Sequence, residues 1–383
     1  MATLSSLPIG ARIKVPHSVM GNVIFLKADQ NHEGYPENST TLITDELILL
    51  RAFDAKEPNN TNSDRQQYGN NRYSVSNIDH WLNSTASAGQ WYSPQHSTDQ
   101  SPNSTDVVSK NTYDVDAGFL NGFDARFIAA IQDTTITVAR NTETDGGGYD
   151  TLTRKVFLPS LAELSNQAEN SIMEGSLLQY FQANTNAIRI AKISTYCAED
   201  NTNKGSSSVT AGTASYYWMR TPNSSYSHFV RDVFSDGSLN YGYVYDGGHG
   251  VRPLCNLKSE TPVSDQPDSD GYYSLLLDAM GEIELTYNVK ETATMPTAVN
   301  VELDLVKTFG CSTTVEICNN GNDTVPVWED ISTVVKSGVN HIFANKTKTA
   351  DNWKVVIKIH IVRNATVGDI KLYGVKTTFK EEL

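Results

Sequence analysis

Apolar and polar residues alternate with a period of two along the last third of the chain. In residues 299–305 each apolar residue is followed by a polar one, and residues 353–361 follow the same pattern except at Val356. Such alternation is typical of antiparallel strands that bury one face. Together with turn signals at 319–322 and 336–338, it predicts an all-β sandwich domain over residues 272–383.

The first two thirds of the chain carry a mixed pattern of short apolar runs, helix starts and long polar loops. Short strands are predicted at residues 11–15, 23–26, 41–43 and 47–50. Ser76 and Ser160 are each followed three residues on by an acidic residue, a spacing that favours a helix N-terminus. Apolar stripes at helical spacing predict further helices at 120–131 and 177–181. The pattern as a whole predicts one α+β domain over residues 1–258.

Residues 259–271 contain Pro, Ser and Asp and almost no apolar residue. Such a composition favours an exposed connection over a packed element. The chain is therefore predicted to consist of an α+β domain, a linker and an all-β sandwich domain.

The composition restricts the class of protein. The formal net charge of the 383-residue chain is −14, and a surface of that sign repels the phosphate backbone of nucleic acids. The chain has no run of about eighteen apolar residues that would predict a membrane helix. Its first residues also lack the basic and apolar segments of a secretory signal. We therefore expect neither nucleic acid nor a membrane as a partner.

The cysteines and short motifs offer little catalytic chemistry. None of the four cysteines, Cys197, Cys255, Cys311 and Cys318, forms a CxxC pair or stands at zinc spacing with a histidine. Cys311 and Cys318 are near enough in sequence to meet across a hairpin, and buried free thiols are the alternative. P-loop, HExxH and GxSxG motifs are absent from the sequence, and so is the Trp-Asn-Asp triplet of C-type lectins, whereas a Glu-Pro-Asn triplet occurs once, at 57–59. The sequence thus predicts no metal, no cofactor and no catalytic residue.

A polar, aromatic stretch lies between two apolar phrases near the end of the α+β domain. The Asp-Gly pair at 236–237 suits a turn between residues 229–234 and 239–246, which predicts a β-hairpin. Three tyrosines of the second strand share one face. They stand together on the surface if Val244, on the other face, points inward.

This stretch has the composition of antibody combining loops, in which tyrosine offers a wide contact area and small polar residues adapt their hydrogen bonds. The predicted ligand-binding residues are Asn223, Ser224, Tyr226, His228, Asn240, Tyr241, Tyr243, Tyr245, Asp246 and His249. The alternative is that the tyrosines only cover the sheet. Trp218, Arg220 and Arg252 are predicted to form a structural frame, in which both guanidinium groups bind carbonyls and carboxylates.

Five phrases of the first domain resemble, in order, those of an uncharacterised domain that is widespread in phages and in surface proteins of Gram-positive bacteria. They are IDHWLN at 78–83, KVFLPS at 155–160, YWMRTP at 217–222, SDGS at 235–238 and GVRP at 250–253. The resemblance covers roughly residues 5–258. The sequence departs from the usual phrases at Pro159, Met219, Thr221 and Cys255, which affects the expected surface more than the expected fold.

That domain looks like a relative of the C-type-lectin and formylglycine-generating-enzyme fold. The resemblance implies a C-type-lectin-like scaffold with a variable, ligand-facing surface. The second domain resembles the sandwich modules of phage virion proteins, on residues 323–330, 343–347 and 353–363. A location on the virion surface is implied, after assembly in the bacterial cytoplasm and release by lysis. The implied partners are other virion proteins, further copies of the chain, and a host cell-surface glycan or protein.

The expected function is therefore host recognition, by a phage or phage-tail-like particle that displays the lectin-like domain in a tail fibre or baseplate, without enzymatic activity. A capsid or tail decoration protein with a purely structural role is the main alternative. A glycoside hydrolase would need two facing carboxylates, and no motif singles out such a pair. Residues 223–250 also have the composition of a cassette diversified by a reverse transcriptase, although such cassettes usually lie at the end of their chain.

Overall fold

The computed structural model describes residues 2–206, 209–277, 280–307, 311–335, 339–364 and 370–381. The chain divides into two compact units, Ala2–Leu275 and Leu276–Leu383. The first unit contains helices and strands, and the described part of the second is built mainly of strands. The mixed α+β class is therefore confirmed. The predicted turn at 336–338 lies outside the described residues.

Regular elements of the first unit are short and separated by long loops. Its strands are β1 (Arg12–His17), β2 (Gly21–Gln30), β3 (Ser39–Thr44), β4 (Ile131–Gln132), β5 (Thr134–Ala139), β6 (Tyr149–Arg154), β7 (Val156–Phe157), β8 (Ala191–Lys192), β9 (Ala214–Ser215), β10 (Tyr217–Pro222), β11 (Phe229–Val233), β12 (Leu239–Tyr243), β13 (Leu254–Lys258) and β14 (Tyr272–Ser274). Its α-helices are α1 (Ser63–Tyr68), α2 (Asn77–Leu82), α3 (Ala125–Ala130), α4 (Leu161–Ser165), α5 (Asn186–Arg189) and α6 (Thr195–Asn203). Single 3-10 turns lie at Leu4–Ser6, Tyr73–Val75, Phe119–Gly122 and Gln179–Phe181. None of the described helices has the length and apolar character needed to cross a membrane.

A central sheet joins the beginning and the end of the first unit. Its strand order is β14-β1-β2-β3-β13-β4, and β7 also pairs with β13. β13 lies antiparallel to β3, with Leu254 opposite Ile43. Both residues are fully buried, so the pairing that closes the unit also contributes to its core.

The residues predicted to be a linker belong to the first unit. β14 pairs in parallel with β1. Val263 is fully buried, and its N–H donates to the Ala2 carbonyl at 3.0 Å. Residues 261–263 are buried and most of 265–271 is exposed, but main-chain hydrogen bonds attach the segment to the sheet and to the N-terminal residues. The boundary between the units lies after Leu275.

Both predicted serine caps are confirmed. The Ser76 hydroxyl accepts a hydrogen bond from the Asp79 N–H at the start of α2. Ser160 forms a reciprocal capping box with Glu163 at the start of α4. The serine and the acidic residue together satisfy main-chain groups that a helix end leaves free.

Three other predicted elements differ in the structure. The run 47–50 is buried but forms no strand, only single bridges. The predicted helix over 120–131 is divided, because Asp124 caps α3 after a separate 3-10 turn. The stripe at 177–181 contains only a 3-10 turn. In each case the apolar spacing indicates burial without specifying the main-chain conformation.

The described part of the second unit contains two antiparallel sheets. Their strands are β15 (Met280–Thr292), β16 (Pro296–Lys307), β17 (Cys311–Cys318), β18 (Glu329–Asp330), β19 (His341–Ile342), β20 (Trp353–Asn364) and β21 (Ile370–Glu381). The strand orders are β15-β20-β17-β18 and β19-β16-β21. Residues of both sheets share one apolar core: Val299, Val301, Val315, Ile317, Ile331, Phe343, Val355, Ile357, Ile359 and Ile361. This arrangement is compatible with the β-sandwich that the period of two predicts.

The cysteines are free thiols where the structure describes their side chains. Cys197, Cys255 and Cys318 are buried and unpaired. Burial raises the pKa of the Cys197 and Cys255 thiols to about 12 and that of Cys318 to about 11. The prediction that Cys311 and Cys318 could meet across a hairpin is wrong, because these residues begin and end the single strand β17. At the usual rise of a strand, their Cα atoms are ~23 Å apart.

Candidate functional site

A buried strand anchors the candidate site. All six residues of β10 are buried. The Trp218 indole donates its Nε1–H to the Arg51 carbonyl at 2.9 Å. The Arg220 guanidinium donates to both oxygens of the Glu163 carboxylate, at 2.8 and 2.7 Å. Since both charges are fully buried, this bidentate pair fixes α4 against β10.

The same frame shifts the pKa of two carboxyl groups in opposite directions. Burial alone would raise the pKa of Glu163, but the charge and hydrogen bonds of Arg220 outweigh burial and lower it. Glu174 lies nearby without such a direct pair, and burial raises its pKa to about 7. The frame therefore contains one carboxylate held ionised and one that titrates near neutral pH.

The second frame phrase returns to the same strand. The Trp218 N–H donates to the Gly250 carbonyl at 3.1 Å, and the Gly250 N–H donates to the Tyr216 carbonyl at 2.8 Å. Arg252 is buried, and its Nε–H donates to the Thr44 carbonyl at 3.0 Å. The chain therefore enters and leaves the polar stretch at adjacent, hydrogen-bonded positions.

Between these anchors the chain forms the predicted hairpin. β11 and β12 pair antiparallel, with Phe229 opposite Tyr243. Gly237, in the turn, has a φ of +81°, and a Cβ there would lie 1.9 Å from the Asn186 carbonyl oxygen. The turn therefore requires glycine both for its conformation and for space.

The hairpin presents tyrosines to solvent. Val244 is fully buried, as the prediction requires, whereas Tyr241 and Tyr243 are 39% and 41% exposed. Tyr226, in the loop before β11, is 42% exposed. Tyr245 is only half-buried and contributes less surface.

These rings form a continuous aromatic surface, which we call the tyrosine ridge. Phe229 lies at its centre, with ring centroids 5.0 Å from Tyr241, 4.4 Å from Tyr243 and 5.3 Å from Tyr226. Such separations are typical of favourable aromatic pairs, so the rings hold one another in place. The members of the ridge are Tyr68, Tyr226, Phe229, Tyr241, Tyr243 and Tyr245.

Tyr68 is a member that the sequence did not predict. It ends α1, and its ring lies 4.7 Å from Tyr243 and 5.6 Å from Tyr245. The following residue, Gly69, has a φ of +87°, and a Cβ there would lie 2.8 Å from a Val244 methyl. The glycine lets the end of α1 approach the hairpin. A Tyr-Gly pair in a polar loop does not indicate, from sequence alone, a contact with a hairpin that lies far along the chain.

Two cations border the ridge. Lys56 Nζ lies 5.3 Å from the centroid of Tyr245, and Arg231 Cζ lies 5.8 Å from that of Tyr241. Arg231 also donates to the Glu169 carboxylate at 2.8 Å. These cation–π contacts restrict the rings further.

Several predicted ligand residues support the loop instead of facing solvent. Asn223 and His228 are only 5% and 6% exposed. The Asn223 side chain accepts from the Ser225 N–H at 3.1 Å, and the Ser224 N–H donates to Glu169 at 2.7 Å. Burial lowers the pKa of His228. Short polar side chains stabilise a loop internally as readily as they bind a ligand, which is why composition alone does not separate the two roles.

The other predicted residues line a cleft on the second face of the hairpin. Asn240, Asp246 and His249 contribute to this cleft of about 560 Å³. His249 is 8% exposed, and its ring stacks on Trp218 with centroids 3.8 Å apart and planes 12° apart. Its Nε2 lies 2.9 Å from Oδ2 of Asp232, a residue that the sequence did not single out. The predicted patch thus comprises two adjoining surfaces, the tyrosine ridge and the cleft, and Tyr241 and Tyr243 contribute to both.

The two surfaces consist of aromatic rings and hydrogen-bonding groups. Within the described residues, no group of three His, Cys, Asp or Glu side chains is placed to hold a metal ion. The Cys197 and Cys255 thiols are buried with a raised pKa, which makes them poor nucleophiles. The tyrosines and the polar cleft offer contact area and hydrogen bonds instead.

Residues 38–259 match the family model described as a domain of unknown function, DUF6273. This range contains the frame, the hairpin, the ridge and the cleft. No curated protein and no solved structure matches the chain. Because the family model covers more than half of the 383 residues, the chain belongs to the DUF6273 domain family.

Proposed function

We propose that the chain is a virion protein of a bacteriophage or phage-tail-like particle, located on the virion surface in a tail fibre or baseplate. Its first unit is a C-type-lectin-like module that binds a glycan or protein on the surface of a Gram-positive host. The observation that carries the proposal is the tyrosine ridge, in which three exposed tyrosines, on the hairpin and the loop before it, are held together around Phe229.

The physical chemistry of the ridge supports recognition. A tyrosine has few rotors to freeze, and the neighbouring rings already restrict them, so binding costs little side-chain entropy. Flat aromatic faces suit the apolar faces of sugar rings, while the phenol hydroxyls reach the sugar hydroxyls. Exposed apolar clusters on a protein surface mark interaction sites. The net charge of −14 also disfavours nucleic acid as the ligand.

Affinity at a single ridge is expected to be modest. A particle that carries several copies of the chain would convert weak single contacts into strong adhesion, because later contacts form at high effective concentration. The proposal therefore includes a homo-oligomer within the virion, with other virion proteins as further partners.

A structural role is the second candidate, and the second unit favours it. Val325, Ile342 and Tyr373 are 80%, 71% and 65% exposed. Apolar side chains in such positions suit contacts with other virion proteins or with further copies of the chain. If the role is structural, the chain decorates or extends the particle and binds no receptor.

Adsorption of the purified full-length chain to a panel of Gram-positive cells tests the proposal. The wild type is compared with the triple variant Tyr226→Ala, Tyr241→Ala and Tyr243→Ala. The matched control is Tyr149→Ala with Tyr373→Ala, which removes two exposed tyrosines outside the ridge. Circular dichroism establishes that each variant is folded.

We expect saturable adsorption of the wild type and of the control to at least one strain. The triple variant should lose at least hundredfold in affinity, since each buried aromatic anchor is worth about 1–2 kcal/mol or more. Equal adsorption of the triple variant would exclude the ridge as the binding surface. Absence of wild-type adsorption to every strain would favour the structural role.

A further inference from the structure

The cleft on the second face of the hairpin has an acidic and aromatic lining. Asp232 and Asp246 contribute carboxylates, and no Lys or Arg belongs to the described residues that line it. Tyr216 and Phe234 form one wall, with ring centroids 4.9 Å apart at an interplanar angle of 83°. The Tyr216 ring lies 5.6 Å from that of His249. The cleft therefore joins negative charge to aromatic faces.

Three polar atoms of cleft residues have no hydrogen-bond partner among the described residues. They are Oδ1 of Asp232, Oδ1 of Asn111 and Nδ1 of His249. The exposed fractions of these residues are 1%, 0% and 8%. Because an unsatisfied buried polar group is costly, three of them around one cleft indicate that a bound group completes their hydrogen bonds.

The surrounding contacts and the chemistry of the groups identify the two oxygens, Oδ1 of Asp232 and Oδ1 of Asn111, as acceptors. The Asn111 amide donates from Nδ2 to Asn201 Oδ1 at 2.9 Å and to the Gly247 carbonyl at 2.7 Å. A flipped amide would lose both bonds, so Oδ1 is the free atom. His249 Nε2 donates to a carboxylate oxygen of Asp232 at 2.9 Å, so Nδ1 is the ring nitrogen without a partner among the described residues.

The position of His249 is fixed from several sides. Trp218 covers one face of the ring. Gly242 approaches the ring so closely that a Cβ there would lie 2.8 Å from His249 Nε2 and 3.1 Å from Asp232 Oδ2. Asp246 Oδ2 is 3.7 Å from His249 Nδ1, which is too far for a hydrogen bond. The acceptors are therefore preorganised.

We propose that this cleft binds a small molecule through a protonated amine, with hydroxyl groups of the ligand completing the acceptor set. An ammonium group carries a positive charge and several N–H donors. It therefore suits a cleft that offers acceptors without a matching donor, two carboxylates and aromatic walls. The cleft volume of about 560 Å³ accommodates a single amino-sugar ring or a smaller amine. This site adjoins the tyrosine ridge, because Tyr241 and Tyr243 also line the cleft, but it does not depend on the role proposed for the ridge.

Isothermal titration calorimetry of the full-length chain with soluble probes tests the inference. Glucosamine carries the amine on a sugar ring, and N-acetylglucosamine keeps the ring without the charge. Ethanolamine carries an amine without the ring. A ligand of this size is expected to bind with a Kd on the order of millimolar, and N-acetylglucosamine at least tenfold more weakly.

The ethanolamine titration distinguishes the two sources of the amine. Binding as tight as that of glucosamine assigns the cleft to amines on any carrier. Markedly weaker binding assigns it to amino sugars.

Charge-removing variants locate the binding. Asp232→Asn is expected to weaken glucosamine binding at least tenfold, and Asp246→Asn at least threefold. Asp246 lies at the rim of the cleft, and its Oδ1 accepts a hydrogen bond from the Gly248 N–H at 2.8 Å. The asparagine of Asp246→Asn keeps an oxygen that can accept this bond, so we expect the variant to remain folded. Asp236→Asn is the matched control, because it removes the same charge from the exposed hairpin turn outside the cleft.

Three results would overturn the inference. The first is the absence of saturable binding by glucosamine and ethanolamine, which would mean that buried water completes the acceptors. The second is equal affinity for N-acetylglucosamine and glucosamine. The third is unchanged binding by folded Asp246→Asn and Asp232→Asn. The carboxylate variants leave Tyr226, Tyr241 and Tyr243 in place, so a loss of amine binding in them is distinguishable from a loss of the ridge.

Discussion

Replacement of Glu174 by glutamine should change how the stability of the first unit depends on pH. The side chain is buried, its Oε1 accepts from the Ala139 N–H at 2.7 Å, and its other oxygen is hydrogen-bonded to the Thr221 hydroxyl. Burial raises the pKa of Glu174 from its ordinary 4.5 to about 7. The folded state binds the proton more tightly than the unfolded state, so protonation of Glu174 stabilises the fold. This contribution to the free energy of unfolding is fully present below pH 4.5, falls as the pH rises toward 7 and is lost above it.

The size of this effect follows from the shift. A rise from 4.5 to about 7 corresponds to about 3 kcal/mol, at about 1.4 kcal/mol per pKa unit. The glutamine side chain mimics the protonated acid and does not titrate, so the Glu174→Gln variant escapes this loss. The stability of Glu174→Gln minus that of the wild type should therefore increase by about 3 kcal/mol between pH 4.5 and pH 8.

Urea unfolding of the full-length chain between pH 4.5 and pH 8 measures this difference. Pulsed hydrogen exchange, followed by mass spectrometry of peptides from β5 and β10, confines the measurement to the first unit and avoids treating the two units as one transition. The control is Glu260→Gln, at an exposed position of the same unit. A stability difference that stays constant across the pH range, or that decreases with pH, would refute the role assigned to Glu174.

Three further predictions concern packing and the thiols. Gly237→Ala should destabilise the first unit by about 1–3 kcal/mol or more in the same urea titration. Gly212→Ala, at a similar positive φ but with open space around its Cβ, should cost less, and an equal cost would contradict the steric argument. Ile357→Ala should destabilise the second unit by about 2–5 kcal/mol without altering exchange in the first. Cys197 and Cys255 should resist a thiol reagent at pH 8 until concentrated urea unfolds the chain, and rapid native labelling would contradict their burial.

The sequence predicted those elements whose pattern is set by neighbours along the chain. The period of two identified β20, because every second residue of this strand reaches the core. The Asp-Gly turn predicted the hairpin between β11 and β12, since the turn needs a residue of positive φ at Gly237. The two serine caps follow the same logic, because donor and acceptor lie three residues apart.

The features that the sequence did not predict depend on contacts between distant segments. Tyr68 joins the ridge only because Gly69 lets α1 approach Val244. Asp232 lines the cleft because the hairpin register turns it away from the ridge, and nothing in its sequence context marks that face. The segment 259–271 looks like a linker because strand pairing through main-chain groups leaves no trace in composition.

Hydroxyl-radical footprinting of the full-length chain, with and without cell-wall fragments of a strain that it adsorbs to, tests the central claim most directly. The method reads the exposure of individual tyrosines without any substitution. The account predicts that Tyr226, Tyr241 and Tyr243 become protected from oxidation together, while Tyr149 and Tyr373 oxidise as before. Unchanged oxidation of the ridge tyrosines, with protection elsewhere or nowhere, would contradict the claim that the tyrosine ridge is the recognition surface.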